Sequence, residues 1–545
     1  MKKKFKKIGI GVVIIISLFV SVGYQSNFFE IAKQIDIYTT LFKELNMHYV
    51  DEVNPAKLTN NAIDNMLKNL DPYTRYYDEQ GVEDARINAM GEFGGIGVGA
   101  TYKNKTIIIK NIIKNSPAQK ANLKLGDKIL KINNMQVKDF DKEGVLSLLN
   151  GLPNTEIKLQ IERQNKTFDI SLTREKITIN PVPYYTMVTK TIGYISFTKF
   201  NQKAASEVKK AMLDLKDQGM QQLILDVRNN PGGLLNEAVK ISNFFIPKDK
   251  IVVTTKAKTV KWSETFKTNR EPIDIKIPLV ILVNNHSASA SEIVAGSLQD
   301  YDRAVIIGTR SFGKGLVQRY RKLPYGTQMK LTIAKYYTPS GRCIQELDYT
   351  NRDDKGNVPK FSDAGRLTFK TEHNRTVFGG GGIQPDVTLD KAKLTKTTKL
   401  LFNSEAFFNY VTQYFYHHKS IKKPKQFKLN TTDFQNLISF LKTHQKEFKS
   451  ETEKILLKVK KQVKKDNLNI NLSKSYNQVL TTIYNGKIKE LTKDKMAIIE
   501  KLEEEIIQRY YYNEGVFEHK TKYDITIAKA VSVLNNPKQY QKILE

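Results

Sequence analysis

Three short and almost entirely apolar runs in the middle of the chain restrict its fold more than any other feature. They are LILDV at residues 223–227, LVILV at residues 279–283 and AVII at residues 304–307. A strand without a polar face is buried on both sides, as are strands of parallel sheets that lie between helices. Helical periodicity accompanies these runs, at residues 204–217 and 291–298. The alternation predicts an α/β core with a mostly parallel sheet.

The patterns on both sides of this core predict further domains. Residues 25–90 have helical periodicity, and residues 91–175 contain short strand patterns separated by turn signals. The strands of this β-rich module are predicted at residues 106–113, 128–132, 156–161 and 167–172. We assign the α/β core to residues 176–394 and predict that the Lys-rich remainder, residues 395–545, is helical.

Apolar stripes in the C-terminal region predict helices that each bury one face. Ile455, Val459 and Val463 recur at a spacing of four residues, which places them on one side of a helix. A second stripe consists of Ile499, Leu502, Ile506 and Tyr510. Residues 535–537, Asn-Asn-Pro, are predicted to end the last helix.

The N-terminus has the pattern of a targeting signal. The basic segment MKKKFKK precedes the uncharged run IGIGVVIIISLFVSV at residues 8–22, and this order is typical of a signal peptide or a short signal anchor. Basic residues next to a membrane segment favour the cytoplasmic side. We therefore expect the rest of the chain in the bacterial cell envelope, on the periplasmic side of the inner membrane, with residues 1–24 as an anchor or a cleaved signal peptide.

The net charge and the cysteine count limit the class of protein. The 545 residues carry a formal net charge of +31, which by itself is compatible with binding to nucleic acid or to an anionic membrane. The basic residues are scattered, however, and neither zinc-finger spacing nor an RNA-binding signature is present, so no nucleic-acid partner is expected. Cys343 is the only cysteine, which excludes a small fold built on disulfides.

Three loops that follow predicted strands contain residues suited to catalysis. They are DVRNNPGGL at residues 226–234, NNHSASASE at residues 284–292 and GTRSFGKG at residues 308–315. Ligands bind at the carboxyl ends of parallel strands, so the loops are expected to converge. A serine at a helix N-terminus can attack a carbonyl, glycines can present backbone N–H groups, and a lysine whose pKa is lowered by burial can act as a base. Together these groups suit a Ser–Lys hydrolase.

Each loop also has a second interpretation. Ser287, Ser289 and Ser291 are equally suited to capping the following helix, and their spacing does not distinguish them. The GTRSFGKG loop nearly matches a phosphate-binding loop, but Gly315 stands where the magnesium-binding hydroxyl is required. The glycines of DVRNNPGGL also suit a plain turn. His286 is an alternative base, although it would have to fold back over a serine that is adjacent in sequence.

Motifs along residues 30–390 resemble those of the carboxyl-terminal processing peptidases, also called tail-specific proteases, of peptidase family S41. Besides the three loops, the motifs are LDPYT at residues 70–74, FGGIG at 93–97, NSPA at 115–118, LGDKIL at 125–130, YYTPSG at 336–341 and GIQPD at 382–386. FGGIG, NSPA and LGDKIL resemble a PDZ domain. The resemblance implies a serine endopeptidase whose core contains an inserted PDZ domain.

The resemblance also implies individual roles in the site. Ser289, the middle serine of its loop, matches the nucleophile, and Lys314 matches the base. Gln318 matches the residue that orients the lysine. The backbone N–H groups of Gly233 and Ala290 match the donors of the oxyanion hole. No metal or organic cofactor is implied.

The implied partners follow from the PDZ domain and the N-terminus. Gly95, Ile96 and Gly97 match the loop that receives a substrate's C-terminus, so the partners are C-terminal tails of envelope or secreted proteins, and the inner membrane through residues 1–24. Cys343 stands where many relatives carry serine. Three roles stay open for residues 395–545, namely docking on the core, homo-oligomer assembly and binding of an adaptor. The alternative function is a non-catalytic, membrane-anchored PDZ scaffold.

Overall fold

A computed structural model describes residues 28–140, 146–361, 365–389, 393–466 and 473–545. The predicted signal segment, residues 1–24, lies outside the described residues. Within the described ranges, no helix combines the length and the apolar character that a membrane span requires. The described residues form two compact units: one contains residues 28–77 together with Tyr320–Leu331, and the other contains the described residues of Asp78–Arg319 and Thr332–Glu545.

The first unit is mainly helical, as predicted. It contains helices over residues 28–48 and Pro55–Lys68, and the strand Arg75–Tyr77, which pairs with residues 328–330. The second helix begins at Pro55 because proline is tolerated at the first helical position, and the Asn54 side chain accepts a hydrogen bond from the Lys57 N–H group.

The β-rich module in the second unit has the predicted strands. Its main sheet contains the strands Val98–Lys103, Thr106–Ile112, Lys128–Ile132, Met135–Gln136, Glu156–Arg163 and Lys166–Thr173. A second, two-stranded sheet pairs Glu92–Gly95 with Glu175–Thr178, and short helices span Glu79–Met90 and Pro117–Lys120. Ile157, Leu159 and Ile161 alternate with more exposed residues and are buried in the module's core.

A six-stranded sheet forms the centre of the second unit. Its strands, in spatial order, are Tyr184–Met187, Ile192–Ser196, Gln222–Asp226, Leu279–Val283, Val305–Gly308 and Val387–Thr388. The helices Ala204–Asp217, Leu235–Ser242 and Ala290–Asp300 cover one face. The three apolar runs are confirmed as strands, shifted by at most one residue at either end.

The second face of this sheet is covered by the C-terminal end of the chain. Helices Ile525–Leu534 and Pro537–Leu544 pack on the alternate strand residues, such as Val280 and Leu282. Burial by helices on both faces explains why these strands lack polar residues. The C-terminal region therefore docks on the core, which was one of the three roles left open for it.

The prediction of a mostly parallel sheet is wrong for the protein as a whole. Four pairings in the central sheet are parallel, but its first pairing is antiparallel. In the other sheets of the described residues, every strand pairing whose register is defined is antiparallel. The strands not yet named are Ile251–Ala257, Glu264–Lys267, Leu316–Lys322, Gln328–Tyr337, Thr368–Lys370 and Thr376–Phe378. Short connections join several of these strands, and only antiparallel neighbours can be joined by a short hairpin.

The C-terminal region is helical as predicted, but only one of its two stripes is a core face. Its other helices are Lys396–Phe402, Glu405–His417, Thr431–Thr443, Glu451–Lys465, Ser473–Lys493 and Lys495–Tyr523. Leu502 and Ile506 are fully buried, whereas Ile455 and Val459 are 59% and 49% exposed. A stripe shows that a helix has an apolar face, not that another element covers it.

The prediction that residues 535–537 end the last helix is also wrong. A helix does end at Leu534, but Pro537 begins another one, Pro537–Leu544. Proline at the first helical position leaves no hydrogen bond unmade, and the Asn536 side chain accepts a hydrogen bond from the Gln539 N–H group.

Tyr540 provides a test of how the C-terminal region docks. Its hydroxyl accepts a hydrogen bond from the Leu279 N–H group at 2.9 Å, and it lies 3.1 Å from the Leu279 carbonyl oxygen. Because Tyr540→Phe leaves this buried N–H group without a partner, the free energy of unfolding is expected to fall by about 1–3 kcal/mol. Urea unfolding measures this change. Tyr325→Phe, at a side chain that is 91% exposed, is the control; equal stability of both variants and the wild type would contradict the expectation.

Candidate active site

Ser289 lies at the turn between the central strand Leu279–Val283 and the helix Ala290–Asp300. Its backbone has φ +57° and ψ −114°, a conformation that costs energy in residues other than glycine. The Ser289 N–H group donates to the Oε2 atom of Glu292, one turn into the helix, at 2.8 Å. This bond holds the strained turn, and strained backbone of this kind is concentrated at functional sites.

The structure distinguishes the three serines of this loop. Ser287 and Ser291 are fully buried, and their hydroxyl groups donate to the carbonyl oxygens of Val227 and Asn230 at 2.8 and 2.9 Å. Ser289 is only half-buried. Ser287 and Ser291 therefore join the serine loop, residues 284–292, to the glycine-rich loop, residues 226–234. Ser289 is the most exposed of the three serines.

The glycine-rich loop touches the serine loop directly. A Cβ atom on Gly232 would lie 2.9 Å from Ser289 Cβ, 2.8 Å from Ala290 N and 2.6 Å from Ala288 O. Buried Asn230 supports this contact, since its side chain accepts from the Gly232 N–H group at 2.9 Å and its carbonyl oxygen accepts from the Ala288 N–H group at 3.0 Å. A residue larger than glycine would separate the loops.

Gly233 is held in a fixed orientation by Phe200. The Phe200 N–H group donates to Gly232 O at 3.1 Å, and the Leu234 N–H group donates to Phe200 O at 2.8 Å. This parallel bridge turns the Gly233 N–H group away from Phe200. A Cβ atom on Gly233, whose φ is +148°, would lie 2.2 Å from Phe200 O. Glycine is therefore required at this position.

The carboxylate of Glu292 joins the serine loop to the lysine loop, residues 308–315. Its Oε2 atom accepts from the N–H groups of Ser289 and Lys314 at 2.8 and 2.9 Å. Its Oε1 atom accepts from the Gly313 N–H group at 2.7 Å and from the Ser311 hydroxyl at 2.6 Å. The backbones of the predicted nucleophile and the predicted base are thus fixed by one oxygen atom.

Glu292 is fully buried, and its environment has opposing effects on its charge. Burial raises the pKa of Glu292, while the hydrogen bonds from Ser311, Lys314, Gly313 and Ser289 act to lower it. The Ser311 hydroxyl oxygen accepts from the Ile383 N–H group at 2.6 Å, so its proton is directed at Glu292. A carboxyl group that receives four donors needs all its oxygen lone pairs, and this arrangement requires the ionised form.

Tyr336 forms a second bridge between the same two residues. Its hydroxyl group lies 3.2 Å from the carbonyl oxygen of Ser289 and is also hydrogen-bonded to the carbonyl oxygen of Lys314. The Tyr336 side chain is 1% exposed, and that of Lys314 is half-buried. The N–H and carbonyl groups of both Ser289 and Lys314 are therefore held by two shared side chains.

The remaining candidates lie around this centre. Gln318 lies on the strand Leu316–Lys322, which follows the loop that contains Lys314, and its Nε2 atom donates to Thr332 Oγ1 at 3.2 Å. Its implied role in orienting Lys314 stays a prediction. His286 is exposed. Burial raises the pKa of the Cys343 thiol, which disfavours the reactive thiolate.

The lysine loop is not arranged as a phosphate cradle. The N–H groups of Gly313 and Lys314 donate to Glu292, and that of Gly315 donates to Gln345 Oε1 at 2.8 Å. A phosphate-binding loop keeps such groups for the ligand and leads into a helix, but here the strand Leu316–Lys322 follows.

The predicted tail-binding loop forms a tight turn ahead of the strand Val98–Lys103. The carbonyl oxygens of Ile96 and Gly97 accept from the N–H groups of Ala118 and Ile113, both at 2.9 Å. Gly97 has φ +77°, and a Cβ atom there would lie 2.3 Å from Ser116 Cβ. Gly95 forms a bridge with Asn150. Capture of a C-terminus by Gly95, Ile96 and Gly97 stays a prediction.

Glu292 and Tyr336 were not recognised as site residues from the sequence. For Glu292 a signal existed, because Ser289 and Glu292 have the Ser-x-x-Glu spacing of a capping box. Tyr336 begins the motif YYTPSG that carries part of the resemblance, but its contacts with Ser289 and Lys314 depend on the folding of distant segments and have no local pattern.

Comparison with known protein families finds matches to three parts of the chain. Residues 191–351 match Peptidase family S41, residues 94–173 match the PDZ domain, and residues 397–534 match the probable PDZ-protease C-terminal helical domain. A solved structure, the photosystem II D1 C-terminal processing protease, is 27% identical with a TM-score of 0.37, covering 65% of this chain and 92% of that chain.

Two bacterial relatives share more of the sequence. The probable CtpA-like serine protease of Staphylococcus aureus is 35% identical over 356 residues, 65% of this chain; the match spans 64% of that protein's length. The carboxy-terminal-processing protease of Bartonella bacilliformis is 37% identical over 324 residues, which are 58% of this chain and 74% of that protein. This chain therefore belongs to the carboxy-terminal-processing proteases of peptidase family S41.

Proposed function

We propose that the protein is a serine endopeptidase of the bacterial cell envelope that binds C-terminal tails through its PDZ domain and cleaves them with a Ser–Lys dyad. The observation that carries this proposal is the joint support of Ser289 and Lys314. Glu292 and Tyr336 fix the backbones of both residues, and the glycine loop lies directly against Ser289. Catalytic groups that are held in place in this way need little reorganisation during the reaction.

In the first half of the reaction, neutral Lys314 accepts the proton of the Ser289 hydroxyl group. The Ser289 oxygen forms a bond to the peptide carbonyl carbon, and the carbonyl electrons move onto the oxygen. The N–H groups of Gly233 and Ala290 donate hydrogen bonds to this oxyanion. Gln318 orients the Lys314 amine.

The second half releases the two products. The C–N bond breaks as the departing amine takes the proton from Lys314, which leaves an ester on Ser289. Water then attacks the ester carbonyl while Lys314 accepts a proton from the water. The acyl–oxygen bond breaks, Ser289 regains its proton and the new carboxyl terminus departs. Lys314 must be neutral at the start, so activity is expected to fall when the pH is lowered.

The substrates proposed are C-terminal tails of envelope or secreted proteins. Membership of the family and the PDZ match at residues 94–173 support this choice. Backbone N–H groups at Gly95, Ile96 and Gly97 would bind the terminal carboxylate, as in other complexes that capture a C-terminus. The basic and apolar N-terminus supports attachment to, or export across, the inner membrane. Oligomer assembly and adaptor binding through residues 395–545, and the absence of a nucleic-acid partner, stay predictions.

The test compares cleavage of one unstructured peptide with either a free or an amidated C-terminus. The full-length wild type is expected to cleave the free form faster, because an amide removes the charge that the PDZ loop would bind. Ser289→Ala is expected to bind the peptide without cleaving it, and Ser206→Ala, at an exposed serine, serves as the control. Binding without cleavage by the wild type would favour the scaffold alternative, and equal cleavage of both peptides would refute tail recognition.

A further inference from the structure

Arg228 follows the central strand Gln222–Asp226 and lies in the first part of the glycine-rich loop at residues 226–234. Its guanidinium group donates to Asp226, with Nε to Oδ1 at 2.9 Å and Nη2 to Oδ2 at 2.6 Å. The Tyr194 hydroxyl also donates to Asp226 Oδ2 at 2.8 Å. One side of the guanidinium group is therefore tied to the core.

The other side is bound by the C-terminal region. Arg228 Nη1 donates to Asp524 Oδ1 and Oδ2 at 3.0 and 2.8 Å, and the two side chains are only 10% and 5% exposed. Burial disfavours the charge of Arg228, but the carboxylates of Asp226 and Asp524 raise its pKa well above the ordinary value. Arg228 is thus a buried cation held between two anions from distant parts of the chain.

Asp524 also begins a helix. Its Oδ1 atom accepts from the N–H groups of Thr526 and Ile527 at 2.8 and 3.2 Å, which caps the helix Ile525–Leu534. That helix packs on the central sheet. The carboxylate is therefore itself held in place from two directions, by the helix end and by Arg228.

The loop beyond Arg228 leads directly to the proposed oxyanion hole. The Asn229 N–H group donates to Asn284 Oδ1 at 3.0 Å, and Asn284 Nδ2 donates to Asn229 Oδ1 at 2.9 Å. Gly232 touches the backbone of the serine loop, and Gly233 supplies the proposed donor. A shift of Arg228 would be transmitted along this short loop to both glycines.

We infer that Asp524 is a positioning residue, through which the C-terminal helical region holds the loop at residues 226–234 in the geometry that catalysis requires. The inference rests on the proposed function. It makes the C-terminal region part of the catalytic machinery and not only a cover for the central sheet. Asp524 touches no reacting atom, so it acts through Arg228.

The test is Asp524→Asn in the full-length protein. Asparagine is as good a helix cap as aspartate, but it is neutral and offers Arg228 one acceptor oxygen in place of two. We expect kcat for the free-C-terminus peptide to fall about 10- to 100-fold, because small displacements of catalytic groups have effects of this size, while KM is unchanged. Asn536→Ala removes the cap of the neighbouring helix Pro537–Leu544 and is expected to keep wild-type kcat.

The outcomes separate the inference from the proposed function. If the wild type cleaves the peptide and Asp524→Asn has the same kcat, the inference alone is overturned. It is also overturned if Asn536→Ala loses as much kcat as Asp524→Asn. No cleavage by the wild type would overturn the proposed function first. If Asp524→Asn does not fold, Asp524→Glu is tested in its place, because glutamate keeps the negative charge and displaces it by one methylene group. A lower kcat with wild-type KM in Asp524→Glu would support the positioning role. Wild-type kcat in this variant would overturn the inference.

Discussion

Replacing Lys314 by alanine is expected to lower kcat/KM for cleavage of a C-terminal peptide about 10²- to 10⁴-fold, the size of a general base's contribution. The side chain of Lys314 is removed, but its N–H group still donates to Glu292 and its carbonyl oxygen still binds Tyr336. The loop should therefore keep its backbone geometry. Steady-state kinetics on the purified full-length protein measure the loss, and circular dichroism checks the fold.

His286→Ala is the matched control for this prediction. His286 is adjacent to the serine loop but exposed, so its removal is expected to leave kcat/KM unchanged. The opposite pattern, with an active Lys314→Ala variant and an inactive His286→Ala variant, would show that histidine is the base.

Glu292→Gln is expected to lower kcat/KM about 100-fold or more, because leaving a buried donor without a partner costs about 1–3 kcal/mol for each donor. A glutamine side chain has one acceptor oxygen, whereas four donors now point at the carboxylate. Its NH₂ group would face either the N–H groups of Ser289 and Lys314 or the two donors on the other oxygen, the Gly313 N–H group and the Ser311 hydroxyl. One of the two loops must therefore move.

Glu237→Gln is the control for the substitution itself. Glu237 is also a buried glutamate in the same core, and its carboxylate accepts from the Ala205 N–H group and from Lys240 Nζ at 2.8 and 2.6 Å. We expect this variant to lose stability but to retain its kcat. A Glu292→Gln variant with wild-type kcat/KM would contradict the role assigned to the carboxylate.

The state of Glu292 also affects the pH dependence of activity. Because burial raises the pKa of this carboxyl group, acidification protonates it at a higher pH than it would an exposed glutamate. Protonation of Glu292 removes an acceptor site for the N–H and O–H groups that the serine loop and the lysine loop donate to it. The resulting loss of activity at low pH adds to the loss caused by protonation of Lys314. Both effects predict that activity falls as the pH is lowered.

Local sequence patterns predicted the central strands because the physics that selects their residues is local. Each of the runs at Leu223, Leu279 and Val305 lies between two layers of helices, and burial on both faces leaves no place for polar residues. The same reasoning failed at Ile455 and Val459, where the apolar stripe exists but no described element covers it fully. Whether a stripe is covered depends on tertiary packing.

The site was only partly predictable for a similar reason. The three loops could be placed together because they follow neighbouring strands, and the resemblance selected Ser289 among three serines. The burial of Ser287 and Ser291 depends on contacts with a loop about 60 residues away in sequence. The Arg228–Asp524 pair joins residues 296 positions apart. Such contacts have no local pattern, so only the folded chain reveals them.

The most direct test of the Ser–Lys dyad is to locate the covalent adduct of a serine-reactive fluorophosphonate. The full-length protein is labelled at neutral pH, digested and analysed by mass spectrometry. The dyad predicts an adduct on Ser289 that is lost in Ser289→Ala and strongly reduced in Lys314→Ala. An adduct on Ser287 or Ser291, or undiminished labelling of Ser289 in Lys314→Ala, would contradict it.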